Sequence, residues 1–506
     1  MISTHDLNRL LHTWRARLVL FALAALLCTQ LPAGAADARA GRAATASSPL
    51  TGLTLGLNDG ELFQDFGPAD IAVGLAHAQA AGASVWRFQI NWGQVSPTRP
   101  PSLAQAANPS WSGYDWTTAD ATIDEIAAAG MSPLVVLGDA PLWAEGPNRP
   151  PTSVVPPGSW DPSAKLFGAF ATALATRYSG TFVDTAVSSA PLPAVRDWEA
   201  WNEPNLQLFL APQWTKANKP ESPTIYRALL DAFYKSVKSV APADVVAGGT
   251  TAPFGDPPGG QRMAPVTFWR SLLCLSAGKH PHATCHQRVH MDAISHHPYP
   301  LGPPTTHAVD PNDVSVPDLG KITRLVPIAE RAGTLLPKGP KPRWITELSW
   351  DSNPPNPNGL SPALQAQYLE GALYVLWKQG VSLITWWNLR DDMPSRGWVS
   401  TLASGIYYTG TTPAQDVPKP SYTAFSFPFT AYRVNGVAQL WGMAPAAGPV
   451  AIQVENGTAW TTALTLQAGA NRVFSGSLLV GIGTNLRAVA GTSTSLTWTA
   501  FDNPAS

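Results

Sequence analysis

The sequence predicts an α/β protein: a closed (β/α)8 barrel followed by a small all-β sandwich. Short apolar segments alternate with longer helical patterns about eight times from residue 51 onward, which is the pattern of parallel βα units. No glycine-rich phosphate loop follows the first predicted strand, which disfavours an open doubly wound sheet. After Pro428 only short apolar runs remain, separated by Gly, Asn and Ser, so a β-sandwich is expected over 429–506.

The barrel is expected to occupy residues 51–428. Its strands are predicted at 53–57, 85–90, 134–137, 195–201, 245–249, 293–296, 344–346 and 383–387. Its helices are predicted at 68–81, 117–129, 161–178, 222–239, 265–276, 319–335, 361–378 and 420–426. Ser361 and Pro362 suit the N-cap and first turn of the last long helix. Long connections follow several strands, at 141–160, 250–264 and 298–318, and loops of that length usually build a binding surface.

The N-terminal segment has the layout of a secretion signal. Three arginines precede an apolar run from Leu18 to Cys28, and small residues around Ala35 suit a cleavage site. The run is too short to span a bilayer comfortably, so a retained anchor is less favoured, as is a lipid-modified Cys28. We expect a signal peptide over 1–35, a flexible leader over 36–50, and a secreted chain without stable membrane association.

Charge and composition exclude several classes of partner. The chain of 506 residues is long enough for a barrel and an appended domain. A formal net charge of −1 and the lack of a basic run argue against a nucleic acid partner. Only 13% of residues are charged, whereas 49 are Pro and 20 are Trp, which favours ordered loops and aromatic platforms over a helical bundle.

Removal of the signal leaves two cysteines, Cys274 and Cys285. In an exported protein an even pair favours a disulfide that closes a loop. Four histidines crowd the same segment, at positions 280, 282, 286 and 290, so a metal site is the rival hypothesis. Their spacing matches none of the usual zinc patterns, and we predict the disulfide.

Two glutamates stand at the carboxyl ends of predicted strands. The segment 196–205 is an aromatic-rich run in which Pro204 lacks a backbone donor and stops strand pairing, so Glu203 lies at a strand end. Glu347 follows the seventh predicted strand, between tryptophans. A lone Glu-Pro pair is more often a solvated turn. Strand-end carboxylates of a parallel barrel usually carry chemistry, however, and the two together indicate a sugar cleft.

Residues at the ends of other predicted strands form, together with these glutamates, a pattern that is found in a known group of proteins. Trp-Asn-Glu-Pro occupies 201–204 at the fourth strand, His-Pro-Tyr occupies 297–299 after the sixth, and Trp387 ends the eighth. Together with Glu347, this set resembles the large clan of retaining (β/α)8 glycoside hydrolases, most nearly glycoside hydrolase family 39 and its cellulase-like relatives. The resemblance covers residues 51–428 and implies the same barrel.

The resemblance implies that Glu203 is the general acid/base and Glu347 the nucleophile. Asn202 would bind the 2-hydroxyl of the sugar, and Arg87 would pair with the nucleophile. The chemistry needs these residue types, because retaining hydrolysis uses two carboxyls about 5–5.5 Å apart. A guanidinium keeps one carboxylate ionised, while a neighbouring anion raises the pKa of the other.

The same resemblance implies that Tyr299 hydrogen-bonds the nucleophile and that Trp387 stacks on a sugar. His297 lies on the same face of its extended segment as Tyr299 and joins the substrate-binding candidates, whereas His296 faces the other way and is expected in the core. No metal or organic cofactor is expected. The expected partner is an oligosaccharide, a polysaccharide or another glycoside.

Several alternatives stay open. A non-catalytic carbohydrate-binding barrel and a transglycosidase with the same site both fit the pattern, whereas no G-x-S-x-G motif supports a serine hydrolase. Trp143 and Glu145 are further candidate substrate contacts. The loops that carry Asp139 and 250–264 match no particular family member, so the sugar is left open. The sandwich is expected to be a structural module, with carbohydrate binding as the less favoured role.

Overall fold

The computed structural model describes residues 52–186, 189–392 and 403–502 of the chain. The predicted signal peptide and leader fall outside these residues, so the secreted location stays a prediction. Within them, no helix is both long enough and apolar enough to cross a bilayer.

Eight parallel strands close into a barrel, which confirms the predicted fold class. The strands are β1 (Thr54–Asn58), β2 (Val85–Asn91), β3 (Ser132–Gly138), β4 (Asp197–Ala200), β5 (Val245–Thr251), β6 (Ala293–His296), β7 (Arg343–Ile345) and β8 (Val381–Trp387). Each strand pairs with its neighbours in chain order, and β1 pairs with β8 to close the barrel. Every strand therefore ends at the same rim, called here the mouth of the barrel.

Helices follow the strands in the order expected for βα units. The main helices are α1 (Pro68–Ala80), α2 (Thr117–Ala128), α3 (Ala164–Arg177), α4 (Ser222–Val240), α5 (Pro265–Leu272), α6 (Val326–Ala332), α7 (Pro362–Lys378) and α8 (Pro420–Ser426). Shorter helices span Glu61–Asp65, Trp92–Val95, Leu103–Ala106 and Gly320–Thr323. Ser361 caps α7, since its side chain accepts from the Leu364 N–H.

The single helix predicted over 319–335 is wrong in extent. The structure has a short helix, Gly320–Thr323, and then α6, which has a proline in its first turn. Pro327 has no backbone N–H to donate to the Thr323 carbonyl four residues before it, so the helical hydrogen bonds are interrupted and the pattern divides between the two helices.

The barrel interior changes from apolar to polar towards the mouth. Its lower layer is a cluster of buried apolar side chains: Val85, Leu134, Ala247, Ala293, Trp344 and Leu383. Two residues further along four of these strands the interior positions are Arg87, Ser295, Thr346 and Thr385, all buried. Interiors of such barrels are usually filled by branched apolar side chains. This polar layer therefore needs internal hydrogen bonds, and it lies directly beneath the mouth.

Two antiparallel sheets follow the barrel, which confirms the predicted β-sandwich. Their strands are β9 (Phe429–Val434), β10 (Val437–Met443), β11 (Gly448–Asn456), β12 (Ala459–Ala468), β13 (Val473–Leu479) and β14 (Asn485–Ala490), with short strands Ser493–Thr494 and Trp498–Thr499. One sheet has the order β9-β10-β13, and the other has the order β12-β11-β14 with both short strands paired to β14.

The sandwich packs against the barrel through α7. Glu370 on α7 accepts a hydrogen bond of 3.2 Å from the backbone N–H of Phe429. The ring of Tyr374 lies 5.5 Å from that of Tyr432 and 5.8 Å from that of Trp441. Aromatic contacts of this kind supply much of the energy of a buried interface, which favours the structural role expected for the sandwich.

Cys274 and Cys285 form a disulfide just after α5, with Cα atoms 5.3 Å apart. Two of the four neighbouring histidines have partners of their own: His282 contacts Ser276, and His290 contacts Asp231. In the part of the chain that the structure describes, the one group of side chains that could jointly ligate a metal lies at the mouth of the barrel, away from this loop.

Candidate active site

The turn that carries Glu203 is tightly fixed at the mouth. Beyond β4 the backbone has positive φ at Trp201 (69°) and at Glu203 (37°), a conformation that costs about 1–3 kcal/mol per residue. The N–H of Glu203 bonds to the Thr250 carbonyl at 3.1 Å. Asn205 bonds the backbone of Ala252 through both ends of its amide. The predicted end of strand pairing thus becomes a strained turn that aims Glu203 into the barrel.

Glu203 and Glu347 converge although 144 residues separate them in the sequence. One oxygen of each carboxylate and one nitrogen of His297 all lie within 4.8 Å of one another. Both glutamates are almost completely buried, with side chains 11% and 12% exposed. The structure therefore brings the two predicted carboxylates into one small site.

Arg87 organises this site from below. Its Nη1 donates to Glu347 Oε1 at 2.7 Å, and its Nη2 donates to Asn202 Oδ1 at 3.0 Å. Its Nε donates to Glu199 Oε2 at 2.7 Å. Since Asn202 Oδ1 is occupied, its amide nitrogen is the atom that can donate to a ligand.

Glu199 is the functional residue that sequence reasoning missed. It lies in the middle of the aromatic run Trp198–Trp201 and is fully buried. A charged residue inside an apolar strand is a signal in itself, because a buried charge needs a partner. That partner is Arg87, which is shared between Glu199 and Glu347.

The residues after β6 contact both carboxylates. The Tyr299 hydroxyl donates to Glu347 Oε2 at 3.0 Å. His297 Nδ1 lies 3.0 Å from Glu203 Oε1, while its Nε2 lies 3.0 Å from Thr346 Oγ1. This series of hydrogen bonds continues to Ser295, whose hydroxyl oxygen is 2.6 Å from that of Thr346. Two members of the polar layer thus support His297 from below.

The two adjacent histidines have different settings. His296 is bonded to Thr251 Oγ1 and to the Val314 carbonyl, and burial lowers its pKa to about 4. It therefore lies in the core, as expected. Burial and the charge of Arg87 hold the pKa of His297 well below its usual range, so this imidazole is neutral beside the carboxylates.

The surroundings of the two glutamates shift their pKa values to different extents. Burial and the negative charge of Glu347 raise the pKa of Glu203 well above its ordinary value, against the opposing effect of Arg87. Burial also raises the pKa of Glu347, but Arg87 and the hydrogen bond from Tyr299 oppose that shift. Glu203 is therefore the carboxyl that holds a proton more readily, and Glu347 is the one that ionises more readily.

Trp387 ends β8 at an interior position of the mouth, two residues beyond Thr385. Its side chain is partly exposed, and its buried Nε1 has no hydrogen-bond partner among residues 52–186, 189–392 and 403–502. Trp386 is instead a core residue whose Nε1 donates to the Ser404 carbonyl. The stacking of this ring on a sugar therefore stays a prediction.

The polar atoms of Trp143 and Glu145 are used in contacts within the protein. Glu145 accepts from the backbone of Gly158 and of Trp160 and is paired with Arg149. Trp143 Nε1 donates to the Ser96 carbonyl at 3.0 Å. The structure does not bring these two candidates into contact with the glutamate pair.

Comparison with known proteins finds similarity only at the level of structure. No model of a known protein family matches the chain, and no curated protein sequence matches it. A family 39 glycoside hydrolase from Bacteroides cellulosilyticus WH2 superposes with a TM-score of 0.51 at 17% identity, covering 85% of this chain and 81% of that one. This similarity confirms the predicted likeness to family 39 as a likeness of fold.

Two further solved structures are similar at lower scores. A glucosidase from Croceicoccus marinus has a TM-score of 0.46 and 14% identity, covering 80% of this chain and 76% of its own. A monomeric β-xylosidase from Caulobacter crescentus CB15 has a TM-score of 0.46 and 18% identity, covering 82% and 84%.

Proposed function

We propose that the chain is an exported retaining glycoside hydrolase that cleaves O-glycosidic bonds through two glutamates. The observation that carries this function is the buried pair of carboxylates, with oxygens within 4.8 Å of each other. Retaining enzymes hold their carboxyls about 5–5.5 Å apart, whereas inverting enzymes separate them by about 6.5–9.5 Å to admit a water. The short separation supports the retaining mechanism.

In the first half-reaction Glu347 attacks the anomeric carbon and forms a glycosyl ester, while Glu203 gives its proton to the departing oxygen. The assigned protonation states suit these roles, since the nucleophile must be ionised and the acid protonated. The amide nitrogen of Asn202 donates to the hydroxyl next to the anomeric carbon in this proposal, which is supported by the use of its oxygen by Arg87.

In the second half-reaction Glu203, now ionised, takes a proton from water as that water attacks the ester carbon and releases Glu347. Neutral His297 supports this step if its Nδ1 carries the hydrogen and donates to Glu203 Oε1. Its Nε2 then accepts from the Thr346 hydroxyl. This arrangement leaves the second oxygen of Glu203 free to exchange the proton with substrate and water.

The same three side chains, Glu203, His297 and Glu347, are spaced to ligate a cation. Arg87 and Tyr299 already donate to the two oxygens of Glu347, and a guanidinium beside a cation is unfavourable. This favours acid/base chemistry over metal chemistry.

A screen of aryl glycosides and polysaccharides tests the proposed function, with the Glu347→Gln variant run in parallel. Hydrolysis by the wild type alone supports it. Binding without turnover in both proteins would favour a carbohydrate-binding barrel, and release that depends on an added sugar acceptor would favour a transglycosidase.

A plot of kcat/KM against pH is expected to be bell-shaped, and the charge of Glu199 is expected to shift the pH of its acid limb. Ionisation of Glu347 defines this limb, and the charge of Glu199 raises the pKa of Glu347. Glu199→Gln keeps an acceptor for Arg87 Nε but removes that charge. The pKa of Glu347 then falls, and the acid limb of the profile moves to lower pH.

A matched control separates this effect from a general loss of buried charge. Asp120 on α2 is also buried and paired with an arginine, Arg177, outside the barrel interior. Asp120→Asn should leave both limbs in place. An unchanged acid limb in Glu199→Gln, measured with the same aryl glycoside, would contradict the assigned coupling.

A further inference from the structure

A polar cluster lies across the mouth from Glu347. Gln89 is the interior position of β2 two residues beyond Arg87, and its side chain is exposed although it belongs to a barrel strand. Its Nε2 donates to Asp139 Oδ2 at 2.7 Å, and Asn91 Nδ2 donates to the same oxygen at 3.0 Å. In the closed order of strands, β2 and β3 lie opposite β6 and β7, which carry His297 and Glu347.

The position of Asp139 is fixed by its surroundings. It is the first residue after β3 and has φ of 53°, outside the usual range for a residue with a side chain. A Cβ added to Gly158 would lie 2.9 Å from the Ala140 carbonyl oxygen, and one added to Gly138 would lie 3.3 Å from Gln89 Nε2. The loop and the strand thus close tightly around Asp139, so its carboxylate is held in one place.

One carboxylate oxygen of Asp139 is available to bind a ligand. Oδ2 receives both amide donors, while Oδ1 has no hydrogen-bond partner in the described part of the chain. Burial raises the pKa of Asp139, and the hydrogen bonds from Gln89 and Asn91 oppose that shift. No cation of the described residues contributes to this balance.

We propose that Gln89, Asn91 and Asp139, called here the hydroxyl wall, bind hydroxyl groups of an uncharged sugar in the site next to Glu347. Asp139 Oδ1 accepts one hydroxyl hydrogen, and the free carbonyl and second N–H of Gln89 serve a neighbouring hydroxyl. This assignment rests on the proposed glycosidase function and names its substrate class.

The hydroxyl wall also determines which sugars are rejected. A uronate carboxylate or a sulfate placed there would face Asp139 without a cation to pair with, and like charges in a partly desolvated site repel. A site built to bond a hydroxyl also discriminates against a sugar that lacks it, because the bound sugar excludes water and leaves the polar group of the site unpaired. Neutral glycosides are therefore preferred over uronides.

The test compares 4-nitrophenyl glycosides of neutral sugars (xylose, glucose, galactose, mannose and arabinose) with the 4-nitrophenyl glucuronide, using the full-length protein. The wild type should prefer a neutral glycoside. Asp139→Asn keeps an oxygen for the two amide donors but removes the charge, and should lower kcat/KM for that glycoside by about ten- to hundredfold. The ratio of kcat/KM for the neutral glycoside to kcat/KM for the glucuronide should therefore fall.

Glu145→Gln is the matched control, because Glu145 holds the same loop without contacting the hydroxyl wall. It should leave the ratio unchanged. Three outcomes would overturn the hydroxyl wall while leaving the glycosidase function intact. They are an equal fall of this ratio in Glu145→Gln, unaltered kinetics in Asp139→Asn, and a wild-type preference for the glucuronide. A wild type that hydrolyses none of these glycosides would instead count against both.

Discussion

Replacement of Glu347 by glutamine is expected to lower kcat by at least about a thousandfold without unfolding the protein. An amide cannot form the glycosyl ester, so the first half-reaction is lost. Its amide oxygen can still accept from Arg87, and the Tyr299 hydroxyl can turn to accept from its amide nitrogen, so the fold should be kept. Turnover of an aryl glycoside measures the effect, and thermal unfolding followed by circular dichroism checks the fold.

Glu370→Gln provides the control for this substitution. Glu370 is a buried glutamate on α7 that contacts the sandwich, and burial raises its pKa well above the ordinary value, so a neutral amide mimics its protonated form. The activity of the Glu370→Gln variant should match that of the wild type. Near-normal turnover by Glu347→Gln would exclude Glu347 as the nucleophile.

Replacement of Glu203 by alanine is expected to produce a loss that depends on the leaving group. General acid catalysis contributes about 10²–10⁴-fold, and substrates whose leaving group needs a proton should lose that much in kcat/KM. Activated substrates such as 2,4-dinitrophenyl glycosides leave without a proton, so their first half-reaction should be nearly normal and the glycosyl enzyme should accumulate.

Azide provides the second readout for Glu203→Ala. The anion needs no general base and fits the space left by the carboxylate, so it should restore turnover and yield a glycosyl azide of retained configuration. A loss of equal size for all leaving groups, together with no response to azide, would contradict the acid/base role.

The architecture of the chain could be predicted from local patterns. The alternation of strands and helices located all eight barrel strands to within two residues, because each strand ends where Gly, Pro or a polar turn begins. The change of pattern after Pro428 likewise indicated the sandwich. The single helix predicted over 319–335 was wrong in extent, because Pro327 interrupts the helical pattern.

The contacts within the site were harder to predict, because they depend on how strands far apart in the sequence are aligned. The resemblance indicated that Arg87 would pair with Glu347, but nothing in the sequence showed that Glu199 shares the same guanidinium. The support of His297 by Thr346 likewise follows only from their adjacent positions in the closed barrel. Such pairings follow from interstrand register and not from composition.

The loops at the mouth were the least predictable part. Trp143 and Glu145 have the residue types of sugar contacts, yet Trp143 bonds to the segment after β2 and Glu145 bonds within its own loop. Gln89 was not a candidate from the sequence and Asp139 was noted only as part of a loop, although the structure brings the two side chains into contact at the mouth. The direction of a loop side chain depends on backbone conformations such as the positive φ of Asp139, which no periodicity encodes.

The stereochemistry of hydrolysis tests the central proposal most directly. The best glycoside from the screen would be incubated with the wild-type protein, and the anomeric protons of the product would be followed by NMR before mutarotation. Attack by Glu347 followed by attack of water inverts the anomeric carbon twice, so the sugar released first should have the configuration of the substrate. Initial release of the opposite anomer would show a single displacement and would contradict the role assigned to the buried glutamate pair.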